Sequence, residues 1–208
     1  MRRFLNRLEA NAGADHTARP GAAANREAIA AMQRYCEGDA AAFPVLYAIA
    51  APRLFMFMRC LVRDHALAEE LLQQTFLKLH QVRASYVAGA APLPWLYAIA
   101  HRTCLDALRR RLRAPVVAAD KLGELPARID GGCETARPTY GEYTIDAVLC
   151  ALDRLPETLR SAVVLTKIEG NSIKETAAIL GTTPSAVKLR AHRGYVKLRE
   201  LLREHDAA

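Results

Sequence analysis

The sequence predicts an all-α fold made of two small helical domains joined by a flexible linker, the second domain ending in a helix-turn-helix. Three observations predict it. Alanine inflates an apolar content of 51% while aromatics make up only 6%, so good helix formers dominate over β-branched and aromatic residues. Apolar residues recur at helical spacing in two blocks, separated by residues 114–143, which hold Pro115, Pro126, Gly131, Gly132, Pro138 and Gly141 and no sustained period. The stretch from Ile173 to His192 reads as a short helix, a glycine turn and a second, arginine-bearing helix.

Residues 1–24 are rich in Ala, Gly, Asn and Arg without an apolar period and are expected to form a mobile tail. Asn25 can cap a helix running to about Glu37, before Gly38. A second helical stretch, Ala40 to Val62, contains Pro44 in an opening turn and Pro52, which is expected to kink or divide it. Asp64 can cap a third helix, His65 to Val82, with Leu67, Leu71, Leu72, Phe76 and Leu79 on one side and Glu69, Glu70, Gln73 and Gln74 on the other. Residues 83–94 break the period as a loop, and a fourth helix follows from Trp95 to about Arg113, lined by Leu96, Ile99, Thr103, Leu108 and Leu112. Residues 25–113 thus make a compact bundle with its own core. Residues 114–143 are the linker, with one short turn expected near Lys121 to Leu125, and fully extended they reach on the order of 100 Å. The second domain, 144–208, opens with Ile145, Val148, Leu149 and Leu152, breaks at Leu155-Pro156, and resumes as a helix from Glu157 to Glu169.

The helix-turn-helix signals each have a cause. Ser172 can cap the first helix, with Glu175 closing a capping box. Ala177 is small where two steeply crossing helices meet, and Gly181 supplies the positive φ that ends the first helix. Thr183 can cap the second helix, Pro184 suits its first position, and Val187 faces the core. A basic second helix in this frame points to DNA.

The net charge of +7 suits a polyanionic partner, and its distribution says more than its size. Lys188, Arg190, Arg193, Lys197, Arg199 and Arg203 cluster at the end of the chain, and Arg109, Arg110, Arg111 and Arg113 form a second patch. Five cysteines without a C-x-x-C pair argue against a disulfide framework or zinc ribbon and fit a reducing cytoplasm. His101 and Cys104 stand three apart, but no second pair completes a metal site, so neither metal nor cofactor is expected. The first residues carry Asn6, Arg7 and Glu9 where a signal peptide needs an apolar core. The longest uncharged run, Ala40 to Pro52, is short for a bilayer, so no direct membrane insertion is expected. No catalytic nucleophile or phosphate-binding glycine loop is visible, so the chain does not read as an enzyme.

Two blocks of the sequence resemble bacterial RNA polymerase sigma factors of the extracytoplasmic-function group. The first holds Ala42-Phe43, Leu46-Tyr47, Pro52-Arg53-Leu54, A-E-E-L-L-Q-Q-T-F-L-K-L from Ala68 to Leu79, then Trp95-Leu96, Ile99-Ala100, Asp106 and Arg109 to Arg111, and is similar to the family's region 2. The second runs from L-D-R-L-P-E-T-L-R at Leu152 to V-K-L-R-A-H-R at Val187, and is similar to region 4.

The resemblance implies a dissociable specificity subunit with core RNA polymerase and promoter DNA as partners, commonly held inactive by an anti-sigma factor. It implies that Glu69, Glu70, Gln73, Phe76 and Leu77 grip the polymerase. Tyr86, Trp95, His101, Arg102, Arg109 and Arg110 would melt the −10 element, and Thr183, Ser185, Lys188, Arg190, His192 and Arg193 would read the −35 element. Three positions depart from the family pattern: Glu70 stands for a usual Asp, His101 for a usual Asn, and Leu189 for a common Ser. A sigma-like mimic that sequesters an anti-sigma protein is one alternative, but it would not need arginines on both DNA faces. A plain helix-turn-helix repressor is another, and it leaves the front bundle and its acidic stripe without a role.

Overall fold

The computed structural model describes residues 22–113 and 145–206, all of whose regular elements are helical. The expected linker, including the turn near Lys121, and the expected tail up to residue 21 lie outside these residues. The front half comprises α1 (Ala22–Cys36), α2 (Ala42–Val62), α3 (His65–Val82), a 3-10 turn (Arg83–Ser85) and α4 (Pro92–Arg113). The rear half comprises α5 (Ile145–Asp153), α6 (Glu157–Val163) running into a π turn (Val164–Ile168), α7 (Ile173–Leu180) and α8 (Pro184–Asp206).

Helix α2 is the hub of the front half. Its Leu46, Ala50, Leu54, Phe57, Met58 and Leu61 are buried against α1, α3 and α4. Phe57 meets the fully buried Tyr97 of α4 edge to face at 5.4 Å, a geometry that suits the ring quadrupoles. By length and composition α2 could cross a membrane, but it carries Arg53 and Arg59 and half of its apolar window is buried in this core.

Three boundaries differ from expectation. Helix α1 begins at Ala22, so Asn25 lies inside it; the alanines ahead of it are strong helix formers that carry the helix upstream. Helix α2 is not divided at Pro52. Pro52 and Ala48, whose carbonyl loses its helical donor to the proline ring, both face solvent, where water can satisfy that oxygen. Helix α4 starts at Pro92 rather than Trp95, because first-turn N–H groups have no helical partner and Pro92 and Pro94 forfeit nothing there. The third helix matches the prediction: the Asp64 side chain accepts from the Leu67 N–H at 3.0 Å.

In the rear half, the helix expected from Glu157 to Glu169 changes winding at Val164, where Glu169 donates its N–H to the Val164 carbonyl at 2.9 Å. Val148, Leu152, Leu155, Val163, Leu165 and Leu198 form the core beneath it. Helix α8 passes α6 at Gly194, where a Cβ would stand 2.6 Å from Val163 Cγ2 and 3.1 Å from the Leu159 carbonyl oxygen. Only glycine fits that crossing. The two halves pack on each other, α4 against α7 and α2 against α5, α6 and the π turn.

Candidate nucleic-acid interface

The helix-turn-helix forms as its local chemistry dictates. Ser172 Oγ accepts from the Glu175 N–H at 3.2 Å while Glu175 accepts from the Ser172 N–H at 2.7 Å, completing the capping box. Gly181 takes φ 61° and ends α7, and Thr183 Oγ1 accepts from the Ala186 N–H at 3.2 Å to open α8. Ala177 and Val187 are buried between the helices. With Val187, Ala191, Gly194 and Leu198 turned inward, Thr183, Ser185, Lys188, His192 and Arg193 are exposed and Arg190 is half-exposed. Ser185, Lys188, His192 and Arg193 therefore lie on the open, cationic side of α8, with Arg190 at its flank.

Beside that face lies a cleft of about 360 Å³ lined by Lys167, Asn171, Lys188, His192, Tyr195 and Arg199, among others. The Lys167 ammonium stands 5.6 Å from the Tyr195 ring centroid, and partial burial lowers its pKa from the ordinary lysine value. Lys167 was not singled out in the sequence, because it belongs to the π turn and reaches α8 only through the fold.

The second predicted DNA face, on α4, is more divided. Arg102, Arg109 and Arg110 are exposed. Arg109 lies 3.7 Å from Asp106, and Arg110 donates to the Asp106 carbonyl at 3.3 Å. Tyr86 and Trp95 are half-buried and pack ring to ring at 5.8 Å, and the Tyr86 hydroxyl donates to the Ala90 carbonyl, fixing the loop before α4. His101 departs from the expected DNA-facing role. It is 7% exposed, with Nε2 3.4 Å from Glu157 Oε1 of the rear half, because α4 turns this position toward α6. The contact from His101, opposed in part by burial, holds the Glu157 carboxyl below the usual glutamate range. Arg111, in the same arginine run, is engaged by Asp64 at 3.0 Å; the Leu67 N–H and then Arg111 hold that carboxyl below its ordinary pKa.

On α3, Glu69, Glu70 and Gln73 are exposed, and Leu77 is 63% exposed, an apolar side chain amid acids. Phe76 departs from the predicted stripe: it is 6% exposed, edge-on to Phe43 at 5.8 Å and 4.7 Å from Tyr47. Position 76 follows Leu72 and precedes Leu79 on the core side, so burial wins over the surface role. Tyr47, 42% exposed beside Phe76, is the aromatic that reaches this surface instead. Its i, i+4 spacing from Phe43 was the available signal.

Between the halves runs a buried polar seam that the sequence did not reveal. Glu169, almost fully buried, accepts from Tyr97 Oη at 2.5 Å and from Arg53 Nε at 3.2 Å, while Arg53 also donates to the Glu169 carbonyl at 3.0 Å. Burial, reinforced by the Glu169 carboxylate, raises the Tyr97 pKa well above its usual value, so the phenol stays protonated and donates. Arg160, 5% exposed, donates to the Cys60 and Leu61 carbonyls at the end of α2 and to those of Asp153 and Leu155. Burial, then the neighbouring Arg63, pulls its pKa down. Arg63 in turn pairs with Asp153 at 2.8 Å. Cys60 and Cys104 are buried, and desolvation pushes each thiol up to about 12, far from reactive thiolate chemistry.

The chain is similar to known proteins in sequence and in fold. The sigma-70 region 2 family matches residues 46–114, and the sigma-70 region 4 family matches residues 145–198. The chain is 41% identical to the RNA polymerase sigma factor CarQ of Myxococcus xanthus, over 83% of this chain and 96% of that one. It is 33% identical to the ECF RNA polymerase sigma factor SigM of Mycobacterium tuberculosis, over 86% of this chain and 84% of the relative. Among solved structures it is similar to the sigma factor RpoE of Bartonella quintana, determined in complex with the anti-sigma factor NepR, with a TM-score of 0.66, 27% identity, and coverage of 77% of this chain and 96% of that one. The chain therefore belongs to the extracytoplasmic-function group of RNA polymerase sigma factors, non-enzymatic subunits that bind core polymerase and direct promoter-specific initiation.

Proposed function

We propose that the rear domain, 144–208, reads the −35 element through the outward face of α8, and that the front domain, 25–113, docks on core polymerase through α3 and opens the −10 element with α4 and its preceding loop. The observation that carries this reading is the division of α8 into a buried stripe and an open face bearing Lys188, His192 and Arg193. Arginine there can take guanine edges bidentately, while lysine and serine hold phosphate. On α4, Arg102, Arg109 and Arg110 offer the cationic track and the Tyr86–Trp95 pair the aromatic platform that a melted strand needs. Exposed Glu69, Glu70, Gln73 and Leu77 suit a helix-on-helix contact with the polymerase, joined by Tyr47 in place of Phe76.

Two promoter elements about one and a half to two duplex turns apart lie on the order of 50–70 Å from each other. Domains in contact cannot occupy both, so the seam around Glu169 and Arg160 opens on the promoter while the 114–143 segment keeps the domains tethered. A polar seam suits such reversal: buried ion pairs add little net stability over apolar packing, while fixing one arrangement. As with the related RpoE, an anti-sigma factor controls the chain in this reading, acting where the polymerase acts, in the cytoplasm.

Footprinting of the reconstituted holoenzyme on a cognate promoter tests the division of labour. Replacing Arg102, Arg109 and Arg110 by Ala is expected to abolish single-strand reactivity of −10 thymines while the −35 protection stays. Arg193→Ala is expected to lose the −35 protection first. The opposite pattern would overturn the assignment.

A further inference from the structure

The centre of the open face of α8 is not a charge but a leucine. At roughly 100° per residue, Leu189 lies about half a turn from the mean direction of the buried Val187, Ala191, Gly194 and Leu198. Within the first two turns of the helix it is therefore the side chain aimed most directly away from the core, and it is 49% exposed. It sits within the first two turns of the helix, where a recognition helix meets base edges. Exposed Ser185, Lys188, His192 and Arg193 surround it. An isolated exposed leucine is ordinary on a protein surface. One placed at the middle of a cationic face that must descend into the major groove will be desolvated there, and needs an apolar counterpart. The major groove presents one apolar group, the C5-methyl of thymine.

We propose that Leu189 is a specificity-determining residue that selects a thymine in the upstream promoter element by packing on its C5-methyl. This rests on the proposed reading of that element by α8 and adds to it the base class chosen at one position. A serine there could reach base or phosphate polar atoms indifferently; leucine exchanges that freedom for discrimination between thymine and cytosine. The flanking Lys188 and Arg193 supply the sequence-independent attraction and the polar readout against which this choice is made.

The experiment selects upstream elements from a randomised pool with reconstituted holoenzyme, then replaces each thymine of the winning sequence singly by uracil, which removes only the methyl. For the unaltered protein, one uracil is expected to weaken binding about three- to tenfold, in line with burial of a methyl group in a base contact. The same uracil should have no effect on Leu189→Ala, whose own selected sequence should lose the thymine preference at that position. Because Leu189 packs outside the core, the variant is expected to fold and to bind core polymerase as before. A selected element without thymine, uracil templates that bind as tightly as thymine, or an equal uracil effect in Leu189→Ala would each overturn the proposal. Lys188→Ala and Arg193→Ala, run in parallel, separate this from failure of the underlying reading: if they leave upstream-element binding intact, α8 does not read that element.

Discussion

The two helices proposed to face DNA differ in what covers them. Helix α8 presents its cationic side to solvent, held in place by a capping box, a positive-φ glycine and a buried stripe that all lie within about twenty-five residues of sequence. Helix α4 presents arginines on one side, while His101 and Tyr97 are turned into a seam made with the rear half. A reading surface that serves one purpose can be fixed by local signals. A surface that borders a separable partner domain is divided between two, and its residues answer to contacts made more than fifty positions away in the chain.

The largest effect that would sharpen this comparison lies on the open side. Lys188→Ala combined with Arg193→Ala is expected to reduce promoter-directed transcription roughly a hundredfold, from contacts worth about 1–3 kcal/mol each, and to flatten the salt dependence of DNA binding. Core-polymerase binding should stay unchanged in a co-purification assay. On the covered side, Arg160→Ala strips donors from the Cys60, Leu61, Asp153 and Leu155 carbonyls. It is expected to lower stability by about 2–4 kcal/mol in denaturant unfolding.

A smaller change follows Glu169→Gln, which keeps the shape but removes the anion facing Arg53 and Tyr97. Hydrogen exchange is expected to rise in α4 and α7 together, with a stability loss of about 1–2 kcal/mol. Faster exchange in α7 alone would mean that the seam does not couple the halves.

The smallest effect is a pH dependence. The folded state holds the Glu157 pKa below its ordinary 4.5, so the unfolded chain takes up its proton first as pH falls. The stabilisation is complete above about 4.5 and is lost as pH drops through the lower folded value. Glu157→Gln should flatten the stability profile in that acid window. Asp153, whose pKa burial raises, tilts the opposite way and is present in both proteins.

These contrasts also mark what the sequence could disclose. Helix α3 was legible because Asp64 and the Leu71, Leu72, Leu79 spacing are local, and the helix-turn-helix because Ser172, Glu175, Gly181 and Pro184 each act within a turn or two. The π turn at Val164 was not, since nothing in V-L-T-K-I breaks a helix by propensity. Its effect is to place Glu169, whose value depends on Arg53 and Tyr97 more than seventy residues away. Gly194 reads as a weak helix position until its approach to Val163 is known. Phe76 is buried on the apolar side that its spacing gave it, and His101, given a DNA-facing role by resemblance, is turned inward by packing against the rear half. Pro52 does not divide α2, because its solvent-facing position on the helix could not be seen in the sequence.

Run-off transcription with purified core polymerase on a library of promoter fragments, with and without this protein, tests the central claim most directly. The account predicts transcripts that appear only with the protein, vanish with Arg193→Ala, and survive loss of the first twenty residues. Unaltered promoter choice in Arg193→Ala would contradict the assignment of promoter reading to α8. A folded protein that neither binds core polymerase nor yields transcripts would contradict the account as a whole.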